Sequence, residues 1–156
     1  MTVLLRNSTD SDIWKVLWLR NNPLITQGAY TQGYLDKGLI PWREHWDWWH
    51  SRKNWQMFIV QVYENGITRE VGVLNISLLD YWSPETAIYL QPGEWGQSIA
   101  KEALKLALNW LREKGYRYSR TTILKNNERS IKAFETVGYR KIGEARPEEW
   151  SYQVTL

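Results

Sequence analysis

The stretch from Glu85 to Leu111 constrains the fold more than any other part of the sequence. Thr86-Ala87-Ile88-Tyr89-Leu90 has strand character, and Pro92-Gly93 ends the strand because proline lacks the ladder N–H and glycine opens the turn. A short turn, Trp95-Gly96-Gln97, leads into an amphipathic helix from Ser98. Ile99, Ala103, Leu106, Ala107, Trp110 and Leu111 fall on one predicted face of that helix. A strand that feeds a small-residue turn into a helix N-terminus leaves backbone N–H groups pointing outward. The positive end of the helix dipole lies behind them, which suits a phosphate. Many strand–helix units have such a turn and bind nothing. The Walker pattern is excluded because Ala100-Lys101-Glu102 offers no hydroxyl for magnesium, and the dinucleotide fingerprint because Gly93 and Gly96 are not its three glycines.

The chain of 156 residues is long enough for one domain with a real core, and we expect a single domain over residues 1–156. No apolar run is long enough to cross a membrane, and a cytoplasmic address is the expectation. The chain has no cysteine, which excludes disulfides, cysteine-ligated metals and a thiol acyl-enzyme. No metal site is expected. The formal charge of +3 suits anionic ligands without demanding nucleic acid. Eleven tryptophans and nine tyrosines either fill the core and its rim or offer a stacking surface.

Val3-Leu4-Leu5 reads as the first strand, and Ser8-Thr9-Asp10 caps a helix that Asn21-Asn22-Pro23 stops. Residues 24–40 read as a loop. Pro41 starts a second helix, Trp42 to Arg52, with Trp42, Trp46 and Trp49 on one face and His45 and Trp48 on its neighbour. Trp55–Tyr63 and Val71–Leu79 are strands joined through the hairpin signal Glu64-Asn65-Gly66. Thr121–Leu124 is a strand, Asn126-Asn127 caps a helix that Gly138 ends, and Tyr139–Gly143 and Trp150–Val154 close the chain. Hairpins mixed with crossovers predict an α/β (α+β) domain on a mixed sheet.

This order, with two stretches in it, resembles the GNAT N-acetyltransferases. Pro92-Gly93-Glu94-Trp95-Gly96-Gln97-Ser98-Ile99-Ala100 is similar to the family's pyrophosphate loop, Arg/Gln-x-x-Gly-x-Gly/Ala. Asn127-Glu128-Arg129-Ser130 through Phe134-Glu135-Thr136-Val137-Gly138-Tyr139 is similar to its Asn-x-x-Ser and Tyr-Glu-Lys-x-Gly-Phe segment. The resemblance implies a sheet of six to seven strands, flanked by four helices and splayed between the fourth and fifth strands. It implies acetyl-CoA as co-substrate, its pyrophosphate on the amides of Gly96, Gln97, Ser98, Ile99, Ala100 and Lys101. Tyr89 and Leu90 would pair with the pantetheine arm, and Asn127 and Ser130 would meet it from the other side.

Three residues depart from the family pattern. Trp95 stands where the loop begins with arginine or glutamine. Ser98 replaces a glycine, which a negative φ would permit. Phe134 takes the place of a tyrosine often cast as general acid, and a phenyl ring has no proton to give.

Glu85 aligns with a glutamate the family uses as general base; its other reading is an exposed strand-edge carboxylate. His45 is the second candidate base, since Arg20, Asn21, His45 and Trp48 resemble the branch that acetylates amino sugars on nucleotide carriers. The acceptor expected is therefore a small-molecule amine, with ribosomal-protein N-termini and polyamines as alternatives. A non-catalytic nucleotide or nucleic-acid binding module on the same fold is the alternative from another class, and a homodimer is among the assemblies expected.

Overall fold

The computed structural model describes residues 1–29 and 35–156. A seven-stranded sheet in the order β1-β2-β3-β4-β5-β7-β6 runs through the molecule. Its strands are β1 (Thr2–Asn7), β2 (Gln56–Glu64), β3 (Ile67–Ser77), β4 (Glu85–Leu90), β5 (Tyr118–Leu124), β6 (Arg140–Arg146) and β7 (Glu149–Thr155). Neighbours are antiparallel except β4 and β5, which are parallel. Among the described residues the α-helices are α1 (Ile13–Asn21), α2 (Pro23–Ala29), α3 (Trp42–Ser51), α4 (Ile99–Glu113) and α5 (Glu128–Thr136).

The β2–β3 hairpin turns at Asn65 and Gly66, with φ of 52° and 77°. Two successive positive φ values match the right-handed twist of the flanking strands, which is why Asn-Gly signals this turn. Alternation along β3 sends Leu74 and Ile76 to one face of the sheet and Val73 to the other. The first face packs against α4 and α5, with Ile99, Ala103, Leu104, Ala107, Leu108 and Leu111 buried along α4. The second face packs Met57, Ile59 and Val73 under α1, α2 and α3.

Three sequence expectations change here. α1 ends at Asn21, as the Asn21-Asn22-Pro23 signal predicts, but Pro23 then opens α2, which runs into the stretch read as a loop. Proline suits the first position of a helix because its missing N–H would have had no partner there, so the residue that reads as a stop also reads as a start. Ile25, buried on the second face, holds this short helix down; the rest of that loop expectation falls partly on residues 30–34, outside the described residues. On α4, Leu108 takes the buried place expected of Leu106, which faces solvent. The contact stripe is rotated toward Leu104 and Leu108, and Trp110 meets Phe58 edge-on from its margin at 5.7 Å. On α3 the buried pair is His45 and Trp49, while Trp46 is exposed and Trp42 stacks on Trp14 at 3.5 Å.

One ionic cluster fixes β1 to the helical side. Arg6 donates to both carboxylate oxygens of the buried Asp12 at 2.9 and 3.0 Å, and Arg6 and Lys15 both reach Glu70 on β3. Burial pushes the Asp12 carboxyl up, but the hydrogen bonds from Arg6 and from the Thr9 N–H outweigh it and hold the group at about 2.

Candidate active site

β4 and β5 are paired at their starts, where Glu85 lies opposite Arg120, and no further pairing follows. The sheet therefore opens like a V toward the end of β4, as the resemblance implied. At the apex, Ser119 on β5 accepts from Tyr139 Oη at 2.9 Å, lies 3.0 Å from Thr86 Oγ1 and donates to the Pro84 carbonyl at 3.0 Å. Every member is buried, so the hydroxyls cannot exchange these partners for water cheaply. They close the apex where the backbone ladder stops.

The open end of the V is a cleft of about 340 Å³. β4 contributes Tyr89 and Leu90, the following turn contributes Gly96, Ser98, Ile99, Ala100 and Lys101, and α5 contributes Asn127, Ser130 and Phe134. Two walls far apart in sequence thus meet here. Gln97 is the one loop residue of the expected set that does not line the cleft. The first main-chain bond of α4 runs from the Glu102 N–H to the Ser98 carbonyl at 3.2 Å, so the N–H groups of Ile99, Ala100 and Lys101 precede the helical ladder. A Cβ at Gly96 would meet nothing within 4 Å, but its φ of 81° disfavours any side chain. These amides and this backbone path fit a diphosphate at a helix N-terminus.

Ser98 corrects an expectation: its φ is 64°, not negative. A serine thus stands in a left-handed conformation at the N-cap, with no side-chain capping bond, at a cost of roughly 1–2 kcal/mol. The loop keeps the path a glycine would take despite the missing glycine.

Asn127 caps α5 by accepting from the Ser130 N–H at 3.2 Å, and it donates to the Gly28 carbonyl of α2 at 2.7 Å. Its amide thus ties α2 to the far wall. Phe134 is buried and packs edge-on against Tyr139 at 4.9 Å, so the second wall presents a ring without a hydroxyl where the family often has a tyrosine.

Glu85 is half-buried at the narrow end of the V. Burial raises its pKa; the charge of Arg120 opposes that rise and Glu149 adds to it. Strand parity puts Glu85 on the same face as Ala87 and Tyr89, and on β3 as Asn75 and Ser77. Asn75 was not apparent from sequence: its Oδ1 is buried on that face without a hydrogen-bond partner among the described residues, between Met57 and Ala87 in the register.

His45 does not line the cleft. It is fully buried between α1 and α3, with Nε2 2.7 Å from the Ile13 carbonyl and Nδ1 3.0 Å from Arg20 Nη1. The ring donates to the carbonyl through Nε2 and accepts from Arg20 through Nδ1. Burial lowers its pKa; the Ile13 carbonyl works against this, and the charges of Arg20 and Arg52 add to it. Arg20 also lies 4.0 Å over the Trp48 ring, and Arg52 lies 5.4 Å over it. Asn21 is committed to Ile40, donating to its carbonyl at 3.1 Å and accepting from its N–H at 2.8 Å. The structure brings Arg20, His45 and Trp48 together as a braced cluster, and none of the three lines the cleft.

The chain matches the acetyltransferase (GNAT) domain over residues 2–140. It is 39% identical to an uncharacterised protein of Methanocaldococcus jannaschii over 99% of this chain, and spans 31% of that longer relative. The crystal structure of a domain from the same organism superposes with a TM-score of 0.93 at 38% identity, covering 99% of both chains. The spermidine N-acetyltransferase of Vibrio cholerae, solved with CoA and spermine, has the same fold, with a TM-score of 0.82 at 14% identity over 98% of this chain and 95% of that one.

Proposed function

The chain belongs to the GNAT acetyltransferase domain family, and from that premise we propose that it is an acetyl-CoA-dependent N-acetyltransferase acting on a primary amine in a ternary complex. The observation that carries this reading is the parted β4–β5 pair with a helix N-terminus at its mouth. Acetyl-CoA is the co-substrate of this family and supplies the thioester carbonyl. The amides of Ile99, Ala100 and Lys101 hold its diphosphate, and Tyr89 and Leu90 offer a strand edge to the arm that follows. From Leu90 back to Glu85 is about 17 Å at ~3.3 Å per residue, so an arm extended along β4 leads toward the carboxylate. Glu85 takes the proton of the attacking amine, and its burial raises its basicity for that task. This chain has no cysteine to carry an acyl group, so transfer is direct.

For the acceptor we propose an amino sugar on a nucleotide carrier. Arg20 and Arg52 over Trp48 support it: cations on an aromatic face attract a nucleotide's phosphates and repel a polyamine.

Thermal shift tests the cofactor reading. Acetyl-CoA at about a hundredfold excess over Kd is expected to raise Tm by roughly 5–10 °C through linkage. Gly96→Val is expected to abolish the rise, because valine resists the φ of 81° that aims the loop amides. A wild type unmoved by millimolar acetyl-CoA and shifted instead by single-stranded oligonucleotide would favour a binding module.

A further inference from the structure

Arg129, the second residue of α5, lies across the mouth of the cleft with its guanidinium carbon 3.3 Å from the centroid of the Trp95 ring. Both residues line the cleft, one from each wall. Among the described residues no carboxylate forms an ion pair with Arg129. Glu94, the nearest acid in the loop sequence, is taken: Arg69 grips it with two bonds of 3.0 Å. The indole platform is itself fixed, since Trp95 Nε1 donates to the Leu90 carbonyl at 3.1 Å. A stacked guanidinium keeps its donors at the edge of its plane, so the ring sets which way they point without using them. The guanidinium stays exposed at the cleft with no acid beside it, so its edge donors are open to an anionic ligand.

We propose that Arg129 is the side-chain ligand for the diphosphate of coenzyme A in this chain. It takes over, from the opposite wall, the contact that the loop forgoes by carrying Trp95 where related loops carry arginine or glutamine. The inference rests on the cofactor reading above and adds to it a residue and a geometry. The amides of α4 hold the phosphates from one side and Arg129 holds them from the other, with Trp95 as the bed on which the guanidinium lies.

Calorimetric titration of CoA, 3′-dephospho-CoA and pantetheine into wild type, Arg129→Gln and Arg129→Lys tests it, at low and at physiological salt. Arg129→Gln is expected to weaken CoA and 3′-dephospho-CoA alike by about tenfold or more and to leave pantetheine, which has no phosphate, unchanged. Arg129→Lys, which keeps the charge but not the flat stack, should fall between. The salt dependence of CoA binding should flatten in the Gln variant. Weakening confined to CoA would put Arg129 on the 3′-phosphate and overturn the diphosphate assignment. Equal weakening of all three ligands would mark a merely structural role, and unchanged CoA affinity would overturn the proposal outright. A wild type that binds no CoA removes the cofactor reading, and this proposal with it.

Discussion

Replacing Glu85 by glutamine is expected to lower kcat by roughly a hundredfold or more while leaving acetyl-CoA affinity unchanged. The amide keeps the shape of the side chain and removes only its basicity. Glu85 sits at the narrow end of the V and does not line the cleft beside the Gly96 turn, so cofactor binding has no reason to change. The pH profile should carry its signature. Burial raises this carboxyl's pKa, so the basic form is lost as pH falls through a value above that of an ordinary glutamate, and the rate falls with it. Phe134 implies that no side chain at that position protonates the departing thiolate. A thiol pKa of about 8.5 makes the thiolate a fair leaving group unaided, so Phe134→Tyr should change the rate little. Full activity in Glu85→Gln would remove this carboxylate from the mechanism.

The second large effect belongs to Gly72, where β3 passes β4. A Cβ there would come 2.2 Å from the Tyr89 carbonyl oxygen and 2.9 Å from the Leu90 Cα. Both contacts are with backbone, which cannot rotate away. Gly72 needs the space rather than an unusual dihedral. Gly72→Ala is therefore expected to cost about 3 kcal/mol of stability, a fall in Tm of roughly 6–12 °C on chemical or thermal unfolding. The strain lands on Tyr89 and Leu90, so the protein that still folds should also show a smaller acetyl-CoA shift. An unchanged melting temperature would mean that β3 and β4 are not packed as described.

What could be read from the sequence was local and periodic. The strand ending at Leu90, the turn through Gly96 and the helix from Ile99 are all set by short-range signals, and they lie where those signals put them. Asn127 declared itself as a cap and is one. What could not be read depended on partners distant in the chain. Pro23 carries the same local signal whether or not a second helix starts at it, and only the burial of Ile25 decides. The choice between Leu106 and Leu108 turns on a few tens of degrees of helix rotation, which the sheet sets. His45 read as a second candidate base, yet the Ile13 carbonyl and Arg20 take both of its nitrogens. The stack of Arg129 on Trp95 joins residues 34 positions apart (129 − 95), and its only trace in sequence was a tryptophan where a polar residue was expected.

The activity proposed for this chain is amine-dependent acetyl transfer from acetyl-CoA. Its most direct measurement is release of free CoA thiol from acetyl-CoA by the purified chain, with a nucleotide-linked amino sugar, spermidine and an amine-free blank in parallel. We predict thiol release that requires the amine, is strongest with the amino sugar, and gives intersecting initial-rate lines as both substrates are varied. Release without any amine, acetylated enzyme trapped before acceptor is added, or no release with any amine would contradict it.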